Sequence, residues 1–204
     1  VAALRLAEKG YRVLVVERGR RWRAQEFPKT NWNLRKSLWA PRLGCHGTLR
    51  LSLLDDVLVL SAAGVGGGSL VYANTLLTPP EPFFRDPQWA GLADWQAVLA
   101  PHYATARRML GAVPNPALGP ADTVLRKVAD ELGVGGRVRA PEVGVYFGSP
   151  GEPAADPYFG GAGPERSGCT LCGACMTGCK HGAKNTLDQN YLYLAEKLGV
   201  QVLA

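Results

Sequence analysis

Short apolar runs alternate with glycine- and proline-rich breaks along this chain, and the period of each run predicts an element. Leu4, Leu6 and Ala7 lie among small residues in the first nine positions, and Gly10 suits the residue after a helix C-terminus. Tyr11-Arg12-Val13-Leu14-Val15-Val16-Glu17 is a β-branched run closed by an acid. It predicts a short buried strand, broken by Arg18-Gly19-Arg20. Leu49, Leu51 and Leu53, then Val57, Val59 and Ser61, alternate about Asp55-Asp56 as a hairpin does. The hairpin runs into Ser61-Ala62-Ala63-Gly64-Val65-Gly66-Gly67-Gly68-Ser69-Leu70-Val71. A backbone so bare can visit positive φ and let a flat or anionic ligand touch its amides, although such clusters also mark plain turns.

Further on, Thr78-Pro79-Pro80-Glu81-Pro82 reads as an extended connection. Asp94 is the expected cap of a helix carrying Trp95, Val98, Leu99, Tyr103, Ala106 and Leu110, with Pro101 kinking it or opening its second part. Asp122 is the expected cap of a second helix carrying Val124, Leu125, Val128, Ala129 and Leu132, ended by Gly133. A strand is expected near Val143 to Phe147, then a Pro/Gly-rich surface loop to Gly168. Asn185 is the expected cap of a helix with Leu187, Tyr191, Leu194, Ala195 and Leu198 on one face, which passes through Gly199 into a strand.

The order helix, glycine, apolar strand, terminal acid is the second half of a βαβ nucleotide-binding unit. Its G-x-G-x-x-G fingerprint is expected upstream of Val1. In such a unit the carboxylate of Glu17 accepts from ribose hydroxyls and repels a 2′-phosphate, which favours FAD or NAD over NADP; the alternative is an exposed strand-end acid. The helix and strand after Asn185 form a second α-then-β passage, as expected where a chain returns to the same sheet.

With 204 residues, 47% of them hydrophobic and 20% charged, the composition is globular and predicts one large domain or one plus part of a second. The chain opens inside a helical pattern without an initiator Met and stops within an apparent strand, so it reads as a piece of a longer protein, and a secretory leader stays open. No run approaches the ~18 apolar residues of a membrane span. The net charge of +6 is uneven: nine Lys/Arg against Glu26 alone give +8 between Arg18 and Arg50, leaving −2 for the rest. That basic stretch suits an anionic lipid, a cofactor phosphate or a solvated face. No zinc-finger spacing, RNP-type sequence or heptad-linked basic helix accompanies it, so nucleic acid is not an expected partner. Within it, residues 27–44 interleave Phe27, Trp32, Leu34, Leu38 and Trp39 with Lys29, Arg35 and Lys36. The mixture fits a lid against a membrane surface or apolar pocket, or two tryptophans packed under a loop.

Four of the five cysteines fall at Cys169, Cys172, Cys175 and Cys179, the C-x2-C-x2-C-x3-C spacing of bacterial ferredoxin segments that wrap a [4Fe-4S] cluster. Lys180 stands where that run has proline. Disulfides or free thiols are the main alternative, and zinc the lesser one. Cys45 reads as a small buried hydrophobe. His181 is a candidate acid/base or, beside a glycine turn, a structural residue.

Arg5-Leu6 to Val15-Val16-Glu17-Arg18-Gly19, the Gly64–Val71 loop and His181-Gly182-Ala183-Lys184-Asn185-Thr186-Leu187-Asp188 together resemble the glucose-methanol-choline (GMC) flavoprotein oxidoreductases. More narrowly they resemble the cholesterol oxidases and cholesterol-oxidase-like proteins of that family, some of which share Tyr72-Ala73-Asn74-Thr75-Leu76, Tyr158-Phe159-Gly160-Gly161-Ala162-Gly163 and the cysteines. The resemblance implies an α/β fold, with a Rossmann-like FAD-binding domain interrupted by an α+β substrate domain. Residues 1–80 would be the first part of the FAD domain, 81–165 the insertion, and 166–204 a cysteine-rich segment returning to the FAD domain. Glu17 with Arg18 would meet the adenosine ribose. Gly64, Val65, Gly66, Gly67, Gly68, Ser69 and Leu70, with Tyr72 and Asn74, would lie along the flavin.

The implied chemistry is hydride transfer from an apolar alcohol, a sterol 3β-hydroxyl foremost, to flavin, with oxygen as acceptor and the catalytic His and Asn in a C-terminal part outside this sequence. Tyr72-Ala73 replaces the Asn-Gly of well-studied members. Four thiols instead suggest a dehydrogenase passing electrons through an iron-sulfur centre to another carrier. The remaining alternative is a non-enzymatic electron-transfer or metal-binding module. The implied location is cytoplasmic or peripheral to a membrane.

Overall fold

Two passages of helix into strand come together in parallel. In the computed structural model, which describes residues 1–204, helix Ala2–Glu8 ends at Gly10 (φ 83°). The Tyr11 amide donates back to the Leu6 carbonyl at 3.1 Å, a closure that needs the positive φ glycine tolerates. Strand Leu14–Val16 then pairs in parallel with Gln201–Leu203, with Leu14 opposite Gln201 and Val16 opposite Leu203. Helix Tyr191–Lys197 feeds that second strand through Gly199 (φ 89°) and packs against the first helix, with Leu4 and Ala195 buried. The sequence predicts a buried first strand, but Leu14 and Val16 are exposed. Each strand of this pair has one neighbour, and burial alternates along them: Val15 and Val202 are half-buried while Leu14, Val16 and Leu203 are exposed.

The chain divides into two units: Val1–Asn74 with Val145–Ala204, and Thr75–Gly144. In the first, the hairpin forms as its alternation predicts. Leu49–Leu54 pairs antiparallel with Val57–Ala62 across Asp55-Asp56. Its base, Leu49 and Ala62, packs on buried Trp22, Phe27, Leu70 and Val71, while Leu51, Leu53, Leu54, Val57 and Leu58 stay exposed. Pro153–Ala154 pairs with Arg166–Ser167, and the carboxylate of Asp156 holds the loop between them by accepting from the amides of Tyr158, Phe159, Gly161 and Gly163 at 2.9–3.1 Å. Burial pushes the Asp156 carboxyl up, but those amides outweigh it and leave it below the ordinary range.

In the second unit, Asp94 accepts from Ala97 N at 3.1 Å and caps a helix, Trp95–Met109, that runs through Pro101 unbroken. Helix Pro120–Glu131 corrects the expected cap. Proline takes the first helical position, Gly119 is the N-cap, and Asp122, a turn inside, accepts from Gly119 N at 2.7 Å. Of the predicted apolar face of that helix only Ala129 is buried. Ala112–Pro114 pairs with Glu142–Gly144, and the expected strand is shorter than its apolar run because the unit ends at Gly144, Val145 belonging to the first unit, where it bridges Lys184. No helix is long and apolar enough to cross a membrane.

The largest fully buried side chains of the first unit are polar. The Lys184 ammonium donates to the carbonyls of Leu70 (2.8 Å), Tyr72 (3.1 Å) and Cys175 (2.7 Å), so its three donors meet three acceptors. Arg166 donates to the Asn185 side chain at 2.5 Å and to the side chain and carbonyl of Gln189. This corrects the third expected cap. The Asn185 side chain is taken by Arg166, so the helix starts later, at Asn190, whose side chain accepts from Tyr191 N, and Leu187–Gln189 forms a single 3-10 turn before it.

Lys184→Met keeps the stem volume but strands three buried carbonyls. It is expected to lower unfolding free energy by about 3 kcal/mol or more, at ~1–3 kcal/mol per unpaired group, as read by urea denaturation. The sign of the pH dependence also follows. Burial lowers Lys184 from its ordinary value to about 8, so above that pH the unfolded state binds more protons than the folded one. The Lys184 contribution to stability therefore rises from about pH 8 up to the ordinary lysine value, and the wild type should gain on Lys184→Met across that window.

Candidate functional site

The carboxylate of Glu17 joins the end of the first strand to the glycine loop. One oxygen accepts from Gly19 N at 2.9 Å and from Gly64 N at 3.1 Å. The contact is backbone to backbone: a Cβ on Gly19 would lie 2.3 Å from Gly64 N, so no other residue fits there. Val65 N donates to Arg20 O at 3.1 Å and continues the seam. Arg18, beside Glu17, projects to solvent.

The loop has two sides. Ala63, Gly64, Val65 and Gly66 are buried. Gly64 (φ 145°) faces the Trp22 indole and Leu70, and a Cβ on Gly66 (φ 114°) would sit 3.1 Å from Asp188 Oδ1. Gly67 and Gly68 have open space where side chains would stand. The 3-10 turn Gly67–Leu70 is fixed by Ser69, whose hydroxyl donates to Gly66 O at 2.6 Å and accepts from Leu187 N at 2.8 Å. The loop is thus packed on one side and bare on the other.

Around it lie Asp188 and Trp22, which the sequence did not mark as site residues, and Tyr72 and Asn74, which it did. Asp188 is half-buried, its Oδ1 buried and unpartnered, and burial pushes its carboxyl up. Trp22 Nε1 is likewise buried without a partner. Tyr72 donates its hydroxyl to Asn185 O at 3.2 Å, and burial holds that hydroxyl protonated by raising it to about 12. Asn74, at φ 61°, donates to Cys175 Sγ at 2.8 Å. The only sequence signal for Lys184 and Asp188 was their place in the His181–Asp188 motif, and Asn185 was marked besides only as a helix cap. Arg166 carried none.

The cysteine segment departs from the cluster expectation. All five cysteines are free, so the disulfide alternative is not realised, and no three His, Cys, Asp or Glu side chains converge to hold a metal ion. Cys172 is exposed on the rim, Cys169 accepts from Leu171 N at 3.4 Å, and Cys175 is turned to Asn74. Burial raises Cys175, aided by the nearby Cys179 and Cys169, against the pull of Asn74 and Lys184. The four sulfurs do not converge on one point, and an iron-sulfur centre is not supported. Cys45 is half-buried, its thiol 3.7 Å from Leu43 O, and His181 lies on the surface.

No family model matches the chain. Curated relatives do. A cholesterol oxidase of Mycobacterium tuberculosis (strain H37Rv) is 59% identical over 208 residues, which is 100% of this chain and 36% of the relative. A cholesterol oxidase of Acinetobacter baumannii is 49% identical over 206 residues, 99% of this chain and 37% of the relative. The chain therefore spans a little over a third of the length of the curated relatives it matches. Identity at that level over essentially its whole length makes this chain a cholesterol-oxidase-like sequence.

Proposed function

We propose that the first unit is the FAD-binding part of a flavin-dependent alcohol oxidoreductase, with a Rossmann-like sheet begun by the parallel strands Leu14–Val16 and Gln201–Leu203. The observation that carries the reading is the coupling of Glu17 to Gly64: one carboxylate oxygen fixes the loop, and the second remains to accept from ribose hydroxyls. The residues suit the cofactor. Gly67 and Gly68 offer bare backbone to a flat ring, Ser69 locks the turn beneath it, and the orphaned Asp188 Oδ1 lies against the same loop. When bound, the flavin supplies an acceptor for the hydride leaving an alcohol carbon.

The substrate reading, a sterol or similar apolar alcohol with oxygen as acceptor, follows from the relatives' name. We assign Thr75–Gly144 to the inserted substrate domain, where Phe83, Phe84, Trp89, Trp95 and Leu99 line an apolar groove of about 170 Å³. Contact of residues 27–44 with a membrane surface is supported by Trp32, 88% exposed, and by exposed Leu34 and Leu43.

Gly68→Val separates binding from folding, since a Cβ there meets nothing and no positive φ is required. The intact wild-type protein is expected to carry FAD with visible flavin absorption that bleaches anaerobically on adding a 3β-hydroxysterol. Gly68→Val should keep the wild-type melting temperature and weaken FAD at least tenfold; undiminished affinity would remove the loop from the flavin site. Glu17→Gln, which keeps the shape but not the charge, should weaken FAD about tenfold, the worth of about 1.4 kcal/mol from one charge-assisted hydrogen bond.

A further inference from the structure

Apart from the flavin reading, the first unit holds a second cleft, of about 330 Å³, lined by Arg20, Trp22, Glu26, Arg35, Lys36 and His46. The sequence brings these side chains together by close backbone approach. Asn33 caps the single turn Leu34–Ser37 by accepting from Lys36 N, which sets Arg35 and Lys36 side by side. Gly47 N donates to Leu38 O at 2.6 Å, and a Cβ on Gly47 would fall 2.2 Å from the Ser37 backbone. Only glycine allows that approach, and it carries His46 to the same cleft, where its ring meets Trp39 edge-on at 6.1 Å.

The charges in the cleft do not cancel. Glu26, its one acid, has both oxygens engaged: Oε1 by Arg20 at 2.9 Å and Oε2 by Arg23 N at 2.7 Å. Burial raises the Glu26 carboxyl slightly, but the Arg23 amide and Arg20 together hold it below the ordinary range, so it stays ionised and occupied. Arg35 and Lys36 take part in no ion pair. The indole is also spent as a stacking surface, with Phe27 parallel to one face at 5.5 Å and the Arg20 guanidinium at 3.8 Å from its centroid. A nucleobase therefore finds no free aromatic face, whereas a compact anion finds a fork-shaped guanidinium, an ammonium and an imidazole lining the same cleft.

We propose that this cleft binds a phosphate group, carried by an anionic lipid headgroup or by a soluble phosphate monoester. Arg35 takes two phosphate oxygens, Lys36 a third, and His46 donates from the opposite side, while the volume leaves room for the first atoms esterified to the phosphate. The proposal does not rest on flavin binding, and it places the site in the segment that also exposes Trp32, Leu34 and Leu43.

The test uses the intact, flavin-loaded protein, so that the cofactor's own phosphates are already seated. Calorimetric titration with inorganic phosphate and with glycerol 3-phosphate is compared for wild type, Arg35→Gln/Lys36→Gln and Arg42→Gln, the last removing an exposed charge of the same stretch outside the cleft. Binding weakened at least tenfold by the double substitution and unchanged by Arg42→Gln is the expected result. Equal losses in the two variants would mean diffuse attraction to a basic surface, and no loss in either would mean no site; each overturns the proposal. Co-sedimentation with phosphatidylglycerol/phosphatidylcholine vesicles against phosphatidylcholine alone then separates the sources. Charge-dependent vesicle binding abolished by the double substitution identifies a headgroup, and phosphate binding without it identifies a soluble ester. Melting temperatures within 2 °C, roughly what a sub-kcal/mol surface change produces, show that the variants are folded.

Discussion

One buried ammonium holds the first unit together. Lys184 binds the carbonyls of Leu70 and Tyr72, at the exit of the glycine loop, and of Cys175, in the cysteine segment more than a hundred residues later. Two opposing effects of similar size meet there. Taking the charge out of water costs several kcal/mol, and three charge-assisted hydrogen bonds return about 1.5–3 kcal/mol each. Burial lowers its pKa to about 8, against the pull of Cys175, Cys179 and Asp188, which leaves the group charged near neutrality. The carbonyls are fixed by a point charge with three donors, a geometry that an arginine fork does not reproduce. The shapes of both loops therefore depend on one side chain.

Much of the local fold was legible because it rests on short-range rules. The hairpin about Asp55-Asp56, the cap at Asp94 and the glycine closures at Gly10, Gly133 and Gly199 were readable as period-2 alternation, a carboxylate before an apolar run and a residue tolerant of positive φ. The errors arose where a side chain had a stronger use elsewhere. Asn185 fits the pattern of a helix cap, but Arg166, nineteen residues earlier, claims it, and the helix waits for Asn190. Asp122 also fits, yet Pro120 is better suited to the first helical position and moves the cap to Gly119. Burial failed for a different reason. Val13 to Val16 has the composition of a strand buried on both faces, but only the face of Val13 and Val15 is half-buried, and that of Leu14 and Val16 is exposed.

The site was legible in its backbone and not in its polar side chains. Glycine positions announce themselves, and the strand-end acid stands where a βαβ unit requires one. Nothing in the sequence says that Glu17 would hold Gly64 across 47 residues, because that contact comes from tertiary closure. The cysteines show the converse. Their spacing is the most specific in the chain, yet spacing fixes only how far apart ligands can be. Their orientation is set by Asn74, Lys184 and the buried carbonyls, which turn Cys175 inward and leave Cys172 on the rim.

The basic stretch from Arg18 to Arg50 sorts its charges in a way that packing alone does not explain. Arg20 pairs with Glu26 and Arg21 with Glu196, surface bridges worth about 0–1 kcal/mol each. Arg35 and Lys36, adjacent and exposed on a four-residue helix, pair with no acid, so the fold gains no ion pair from their charge. Gly47, by contrast, is confined to glycine by a close approach whose effect is to bring His46 beside them. A backbone constraint that gathers cations, together with an acid whose two oxygens are already occupied, leaves a cleft whose charge is balanced only from outside the chain.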